Sequence, residues 1–191
     1  GPNSRKFLNE LVGNFFSNED FPFATGKYLN LVNVKIWFQR LSFIGELGWE
    51  LYIPTKKSKI IFKIIQTLGK KHNICYSGMH TLDMLRLEKK FLHWGHDITS
   101  ENNPIEAGLR FAVSLKKSQN FIGRQSIEKI ISQPLKKKLE LFSLKDFKYP
   151  GKPLLMHDEP IFFNDKIIGY STSSNYSFNY KKNIFLAYVD N

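Results

Sequence analysis

The chain of 191 residues has few of the residues and segments on which several classes of protein depend. Its single cysteine, Cys75, excludes an internal disulfide framework and any metal site built from several cysteines. Its longest apolar runs end at a lysine within a few residues, whereas a membrane span needs about 20 apolar residues. No secretory signal opens the sequence. We therefore expect no membrane partner and a cytoplasmic location, or the mitochondrial matrix if the protein is eukaryotic.

Arginine is also scarce, since five arginines stand beside 23 lysines in a chain whose formal net charge is +11. Arginine is the side chain whose planar fork reads bases and phosphates bidentately. The positive charge is spread evenly, with +6 over residues 1–100 and +5 over residues 101–191. We therefore interpret the lysines as a solvated surface and expect no nucleic-acid partner, although a general positive field would still steer small anions to the protein.

The glycine patterns that bind phosphates, G-x-x-x-x-G-K-[ST] and G-x-G-x-x-G, are missing as well. ATP or dinucleotide chemistry would therefore have to lie outside these 191 residues. His93 and His96 lack a third ligand at a metal-binding spacing, and a lone cysteine with a histidine nearby, as at Cys75, is common by chance. We assign no metal site and no catalytic residue to this chain.

With 42% hydrophobic and 15% aromatic residues, the chain can build one sizeable core or two small ones. Helical spacing of apolar residues predicts four helices: 6–16, with Phe7, Leu8, Leu11 and Phe15 on one face; 56–71, ended by Gly69; 79–88, burying Met79, Leu82 and Leu85; and 124–131. Strand, turn and strand are expected over 29–43, and a further strand over 45–54. Strands and helices therefore interleave in an α+β fold.

After Pro134 the helical period disappears and short strand candidates follow one another at 135–144, 152–156, 160–163, 166–173 and 183–189. The lysines at 136–138 open the first of these, where they would protect a sheet edge against aggregation. Gly1 and Pro2 match the remnant of a cleaved tag. We predict a tag remnant and N-terminal helix over 1–19, a partial α+β domain over 20–134 and a C-terminal β-barrel domain over 135–191. The sequence leaves open whether that last domain is truncated.

The segment around Glu50 carries the first functional signal. Its period of two places Trp49, Leu51 and Ile53 on one face and Glu50 with Tyr52 on the other. A carboxylate beside aromatic rings can accept two adjacent N–H groups of a heterocycle such as a pterin, and charge-assisted bonds of this kind are strong. A solvent-facing glutamate on a half-buried strand is the alternative, and the pattern alone leaves both open.

Five motifs then occur in a fixed order: SFIGELGWELYIP at 42–54, LRLEK at 85–89, HWGHDIT at 93–99, NPIEAGL at 103–109 and NFIGR at 120–124. This order resembles the glycine-cleavage T-protein (aminomethyltransferase) superfamily. The second and third motifs are similar to the folate-binding C-terminal region of dimethylglycine and sarcosine dehydrogenases. The resemblance implies a ferredoxin-like α+β lobe of the T-protein folate-binding fold, followed by a small C-terminal β-barrel.

The resemblance also implies a function, which is to bind tetrahydrofolate, with or without a polyglutamate tail, and to pass it the one-carbon unit of an oxidised N-methyl amine. The product would be 5,10-methylenetetrahydrofolate. Glu50 would be the pterin-binding carboxylate, Leu51 and Tyr52 lie in the same binding stretch, and Phe43 and Phe111 occupy positions where relatives often carry ring-contacting tyrosines.

The same resemblance assigns the catalytic aspartate of the family to an upstream domain that this chain does not contain. The oxidation belongs to an upstream FAD module, which would be the partner of this segment in the full-length protein. A second interpretation stays open at this point, namely a non-catalytic regulatory or scaffold relative that keeps the fold and has lost the transfer chemistry.

Overall fold

The structure is a computed structural model that describes residues 1–145 and 154–191. The chain divides into an N-terminal unit, Gly1–Leu82, and a C-terminal unit, Asp83–Asn191. In chain order the elements are α1 (Ser4–Val12), β1 (Gly26–Leu31), β2 (Val34–Gln39), β3 (Glu50–Tyr52), α2 (Thr55–Gly69), α3 (Met79–Glu88), α4 (Arg124–Ile131), β4 (Lys137–Ser143), β5 (Pro160–Phe163), β6 (Lys166–Ser177) and β7 (Lys182–Asp190). The domain limits expected at 19/20 and 134/135 stay predictions. No helix in the described ranges is long and apolar enough to cross a membrane.

The N-terminal unit is built on a three-stranded antiparallel sheet of order β1-β2-β3. Val32 and Asn33 join the first two strands, both with left-handed backbone (φ 48° and 59°), which matches the twist that a two-residue hairpin needs. One face of the sheet is covered by α1 and α2, whose residues join those of the strands in one apolar cluster. Its buried members are Phe7, Leu8, Phe16, Phe21, Leu31, Ile36, Phe38 and Ile61.

The first helix ends earlier than its sequence pattern predicts. Gly13 follows Val12 with φ 124°, a conformation that L side chains rarely adopt, and the chain leaves the helix there. Phe15 therefore lies outside the helix and is 46% exposed, so its predicted place on the apolar face is wrong. Phe16, which also follows the helix, packs into the apolar cluster instead and is completely buried. Phe7 and Leu8 are buried as predicted.

The structure ends α2 at Gly69, as predicted, and it corrects one predicted burial in α3. Gly69 is the last residue of α2, but its own φ of −58° is helical, and Asn73 (φ 52°) makes the left-handed stop after a 3-10 turn at Lys70–His72. Gly69 is also closely packed, since a Cβ there would lie 2.9 Å from Cδ1 of Ile74, and that side chain would have to shift. In α3 the predicted burial of Met79 is wrong, since its side chain is 64% exposed.

The C-terminal unit contains a four-stranded antiparallel sheet of order β4-β7-β6-β5. β7 is central and buried on both faces, with Ile184 and Leu186 in one apolar cluster and Phe185, Ala187 and Val189 in another. β4 forms an edge, as its lysine-rich start predicts. The strand candidate at 152–156 lies partly outside the described residues, and residues 154–156 form no strand.

A buried polar network ties the end of α3 to the C-terminal sheet. Arg86 is 3% exposed, and its guanidinium donates to the carboxylate of Asp97 and, at 2.7 Å, to the hydroxyl of Ser173. Asp97, 1% exposed, also accepts bonds from the backbone N–H of His93 (2.9 Å) and the Thr172 hydroxyl (2.6 Å). The network fixes the HWGHD turn, since this buried carboxylate accepts hydrogen bonds from three different segments.

Candidate functional site

The predicted pair of Glu50 and Tyr52 lies together on the solvent side of β3. The side chain of Leu51, between them, packs into the apolar cluster on the other face. The Tyr52 hydroxyl donates to Oε2 of Glu50 at 2.8 Å. This bond to a carboxylate, with the negative charge of Glu50 beside it, raises the pKa of the Tyr52 phenol. The neutral phenol therefore stays bound to the carboxylate and limits its rotation.

Strand register places two rows of side chains beside this pair on the outer face. One row is aromatic, because Trp37 of β2 is aligned with Tyr52 of β3 and with Tyr28 of β1. The rings of Tyr28 and Trp37 lie 5.0 Å apart between centroids at an angle of 64°. The second row pairs Gln39 with Glu50. The outer face therefore combines rings with amide and carboxylate oxygens.

Gly26 makes this aromatic surface possible. A Cβ at this position would lie 2.2 Å from Cζ2 of Trp37, so the indole occupies the space that any other side chain would need. The indole Nε1–H donates to Oε1 of Gln39 at 3.2 Å, which restricts rotation of the Trp37 ring. The Nζ of Lys35 lies 4.5 Å from the Tyr28 ring centroid and adds a cation to the same face.

The arrangement can bind a flat heterocycle that carries adjacent N–H donors. A carboxylate can accept about four hydrogen bonds, and the bond from Tyr52 uses one of these positions on Glu50. The neighbouring rings offer apolar surface on which such a heterocycle can stack. Both kinds of group come from strands of one sheet, which is more rigid than a loop and holds their spacing.

The other predicted site residues lie elsewhere. Phe43 is in the loop between β2 and β3 and is 38% exposed, and Leu51 points to the core. Phe111 belongs to the C-terminal unit, where it is 86% exposed on the 3-10 turn Arg110–Ala112. The structure thus brings Glu50 and Tyr52 together and places the Leu51 side chain on the opposite face. The ligand roles of all five residues stay predictions.

Three residues of this face, Tyr28, Trp37 and Gln39, were not among the predicted site residues. The signal that could have found them is the period of two in β1 and β2, which places Tyr28 on one sheet face and Trp37 with Gln39 on one face. That period does not say which residue of one strand lies opposite which residue of the next. Register supplies this information, and it needs the hairpin turn and the strand pairing.

In the part of the chain that the structure describes, potential metal ligands do not gather into a site. Within residues 1–145 and 154–191, no group of three or more His, Cys, Asp or Glu side chains could hold a metal ion. The rings of His93 and His96 lie 4.6 Å apart between centroids and are tilted by 32°, and Cys75 is exposed.

Comparison with known families identifies the chain. A model of the GCVT N-terminal domain matches residues 1–117, and a model of the glycine cleavage T-protein C-terminal barrel domain matches residues 138–191. The chain therefore belongs to the glycine cleavage T-protein family. The resemblance and the fold class inferred from the sequence are both confirmed.

Individual relatives support the same assignment. The chain is 36% identical to human mitochondrial dimethylglycine dehydrogenase over 99% of its own length and 21% of that protein. It is 34% identical to an aminomethyltransferase of Listeria innocua, covering all of this chain and 50% of that protein. The crystal structure of aminomethyltransferase T from Bartonella henselae superposes with a TM-score of 0.79 at 20% identity, covering 97% of this chain and 48% of that one, and shows the shared fold. The chain thus spans about a fifth of the dehydrogenase and about half of the aminomethyltransferases.

Proposed function

We propose that this chain is the tetrahydrofolate-binding part of an aminomethyltransferase within a protein similar to dimethylglycine or sarcosine dehydrogenase. It would help to transfer a one-carbon unit from an oxidised N-methyl amine to tetrahydrofolate, giving 5,10-methylenetetrahydrofolate. Family membership supports the general class, and identities of 36% and 35% to the two human dehydrogenases support the narrower one. The single observation that carries the proposal is the exposed Glu50 carboxylate on an aromatic sheet face.

The residues on this face fit the pterin of tetrahydrofolate. A pterin presents a ring N–H beside an exocyclic amine, and Glu50 has free acceptor positions to receive both donors. The rings of Trp37 and Tyr28 supply the apolar surface that a flat heterocycle needs. Gln39, aligned with Glu50, adds a side-chain amide to the same face.

The work of this chain would be binding and positioning. Tetrahydrofolate, when bound, supplies the nitrogen atoms that accept the one-carbon unit. Glu50 would fix the orientation of the pterin, and the Tyr52 hydroxyl would hold the carboxylate of Glu50 in place. The aromatic row would exclude water from one side of the bound molecule. Correct placement of two reactants can lower a barrier by several kcal/mol without a covalent intermediate.

Oxidation of the amine and the catalytic aspartate are proposed to lie outside these 191 residues. The 191 residues contain no dinucleotide-binding glycine pattern, so we place oxidation of the N-methyl amine on a separate module that carries FAD. The catalytic aspartate of the family is likewise proposed to come from a preceding domain. The partner of this chain would then be that upstream module, in the same polypeptide.

The test is a calorimetric titration of tetrahydrofolate, under exclusion of oxygen, into this chain and into the longer protein. Glu50→Gln removes the charge and adds a donor, and it should weaken binding by about 1.5 to 3 kcal/mol, or roughly 10- to 150-fold. Glu19→Gln is the matched control, because Glu19 is an exposed glutamate in the same unit. Equal affinities of the two variants for tetrahydrofolate would show that Glu50 does not bind the pterin. Binding by the longer protein without methylene transfer would favour the non-catalytic relative.

A further inference from the structure

A groove of about 510 Å³ lies in the N-terminal unit between α1, α2 and the hairpin that joins β1 to β2. Its apolar walls are entirely aliphatic and are formed by Leu11, Leu31, Val32, Ile60, Ile64 and Leu68. Leu31 is only 4% exposed, whereas the side chains of Val32 and Ile60 are more than half exposed. The groove is therefore a concave apolar surface with a buried floor and open sides.

Helix α2, with the 3-10 turn after it, contributes two rows of side chains to this groove, each with a spacing of four residues. The first row is aliphatic and consists of Ile60, Ile64 and Leu68. The second row is polar and consists of Lys63, Thr67 and Lys71. Residues four apart lie one above the other on a helix, so the two rows run side by side. With a rise of 1.5 Å per residue, the aliphatic row is about 12 Å long.

The lysines of the second row are available to a partner. Within residues 1–145 and 154–191, Lys63 makes no hydrogen bond or ion pair. The Nζ of Lys71 lies 3.9 Å from Oε1 of Glu10, and its side chain is 74% exposed, so this pair contributes little. Among the described residues that line the groove, Glu10 has the only carboxylate, and its Oε2 lies 2.7 Å from Nε2 of His72. The groove therefore has a positive rim.

The hairpin places an exposed apolar side chain at the groove in spite of backbone strain. Val32 has a left-handed backbone (φ 48°), which is rare for a β-branched residue, and glycine or asparagine is favoured at this position of a two-residue turn. Its side chain is 60% exposed, so burial within the unit does not explain the choice of valine. Backbone strain of this kind persists chiefly at functional sites. A contact between Val32 and a partner in the groove accounts for it.

We propose that this groove binds an amphipathic helix of a partner protein, with acidic residues beside its apolar face. Apolar side chains of that helix would lie against Ile60, Ile64 and Val32, as in other helix-in-groove complexes. Its carboxylates, spaced about two turns apart, would pair with Lys63 and Lys71.

The shape and charge of the groove favour this occupant over two others. A concave surface with a recessed floor matches the cylinder of a helix, whereas a membrane presents a flat surface. Residues 55–71 contain six lysines and no acidic residue. Symmetric pairing of two copies of this chain through the same face would therefore bring two lysine-rich helices together.

The proposal does not depend on a pterin at Glu50. Register aligns Glu50 with Gln39 and Gln39 with Gly26, at the end of the strands away from the hairpin turn. The Glu50 side chain also lies on the sheet face opposite the one that α1 and α2 cover. Binding of tetrahydrofolate and binding of a helix can therefore be lost separately.

The experiment titrates a synthetic helical peptide of about four turns, with leucines on one face and glutamates on both sides of that face, into the isotope-labelled chain. Saturable NMR shifts are expected at the methyl groups of Leu31, Ile60 and Ile64. The double variant Lys63→Gln/Lys71→Gln should weaken binding about tenfold, because it removes both cations of the rim. The matched control Lys59→Gln/Lys70→Gln removes the same charge from exposed residues of the same segment outside the groove and should bind like the parent.

A further variant, Val32→Asn, separates binding from folding. Asparagine adopts the left-handed backbone more readily than valine, so urea unfolding should show a variant at least as stable as the parent. The same variant loses an apolar contact with the peptide and should bind it several-fold less tightly.

Five results would overturn the proposal. The first three are an absence of saturable shifts, equal weakening by the two lysine pairs, and unchanged binding by Val32→Asn. The fourth is equally tight binding of a peptide in which lysines replace the glutamates, since the rim would then not select acidic partners. The fifth is an equally strong response of the same methyl groups to vesicles of phosphatidylcholine and phosphatidylserine, which would identify a membrane surface as the occupant.

Discussion

The two units of the chain are stabilised in different ways. The N-terminal unit is held by an apolar cluster that includes five large side chains less than 2% exposed, namely Phe16, Phe21, Phe38, Ile36 and Ile61. In the described part of the chain, every buried polar or charged residue belongs to the C-terminal unit, where Arg86, Glu88 and Asp97 are at most 5% exposed. Apolar contacts are non-directional and tolerate small shifts, whereas buried charges need their partners in place. Mutations in the N-terminal unit should therefore act through lost apolar packing. In the C-terminal unit, which also has two apolar clusters, mutations can act in addition through the loss of specific polar partners.

The largest effect is expected from breaking the polar network. Arg86→Met leaves Asp97 buried without its cation, and removal of one partner of such a pair costs about 3 to 5 kcal/mol. Hydrogen exchange at β6 and β7 should report this loss in the C-terminal unit. Lys90→Met is the control, because Lys90 pairs with Glu140 at a partly exposed position (3.2 Å) and should cost less than about 1 kcal/mol. If the two variants are equally stable, the network is not a source of stability.

A somewhat smaller effect is expected in the apolar core. Ile61→Ala removes a completely buried side chain from α2 and should cost about 2 to 4 kcal/mol through lost burial and the remaining cavity. Ile60→Ala, next to it and 53% exposed, should cost much less. Urea unfolding followed by Trp37 and Trp49 fluorescence measures both. A loss for Ile60→Ala as large as that for Ile61→Ala would contradict the packing that separates the two positions.

The smallest effect tests a polar group that has no partner. The Tyr188 hydroxyl is buried without a hydrogen bond in the described structure, and burial, with the charges of Glu106 and Asp97, raises the pKa of this phenol to about 12. The folded pKa of Tyr188 lies above the usual value of about 10, so folding favours the protonated phenol. The free energy of unfolding that depends on this proton is fully present below pH 10 and is lost as the pH rises to about 12. Tyr188→Phe should therefore match or exceed the parent by up to about 1 kcal/mol at neutral pH and lose less stability between pH 10 and 12. A loss above about 2 kcal/mol at neutral pH would reveal a partner for the hydroxyl.

Local signals predict much of the fold. The bounds of α4 and β5 match their predictions residue for residue, because Gly123 and Pro160 mark their starts in the sequence. The face of β3 is also predictable, since period two alone separates Glu50 from Leu51. Such features depend on neighbours in the chain and on nothing more distant.

Features that depend on distant partners are not predictable in this way. The helical pattern of α3 favours Met79 for burial, yet the structure buries Arg86 and Glu88. Their burial depends on hydrogen bonds with residues near the C-terminal end of the chain: Arg86 donates to Ser173, and Glu88 accepts from Ser177 and Asn179. The row of Tyr28, Trp37 and Tyr52 likewise needs the register of three strands. Sequence alone therefore finds the Glu50 carboxylate and misses most of the surface around it.

The buried network of the C-terminal unit has a consequence for synthesis in the cell. The partners of Arg86 and Glu88 in and just after β6 lie 87 to 91 residues further along the chain. A ribosome that adds about 5 to 20 residues per second needs roughly 5 to 20 seconds to cover that distance. During this interval the end of α3 has charged side chains that cannot yet be buried, while all strands of the N-terminal sheet have already been made. The N-terminal unit can therefore fold on the ribosome first, and the C-terminal unit must follow it.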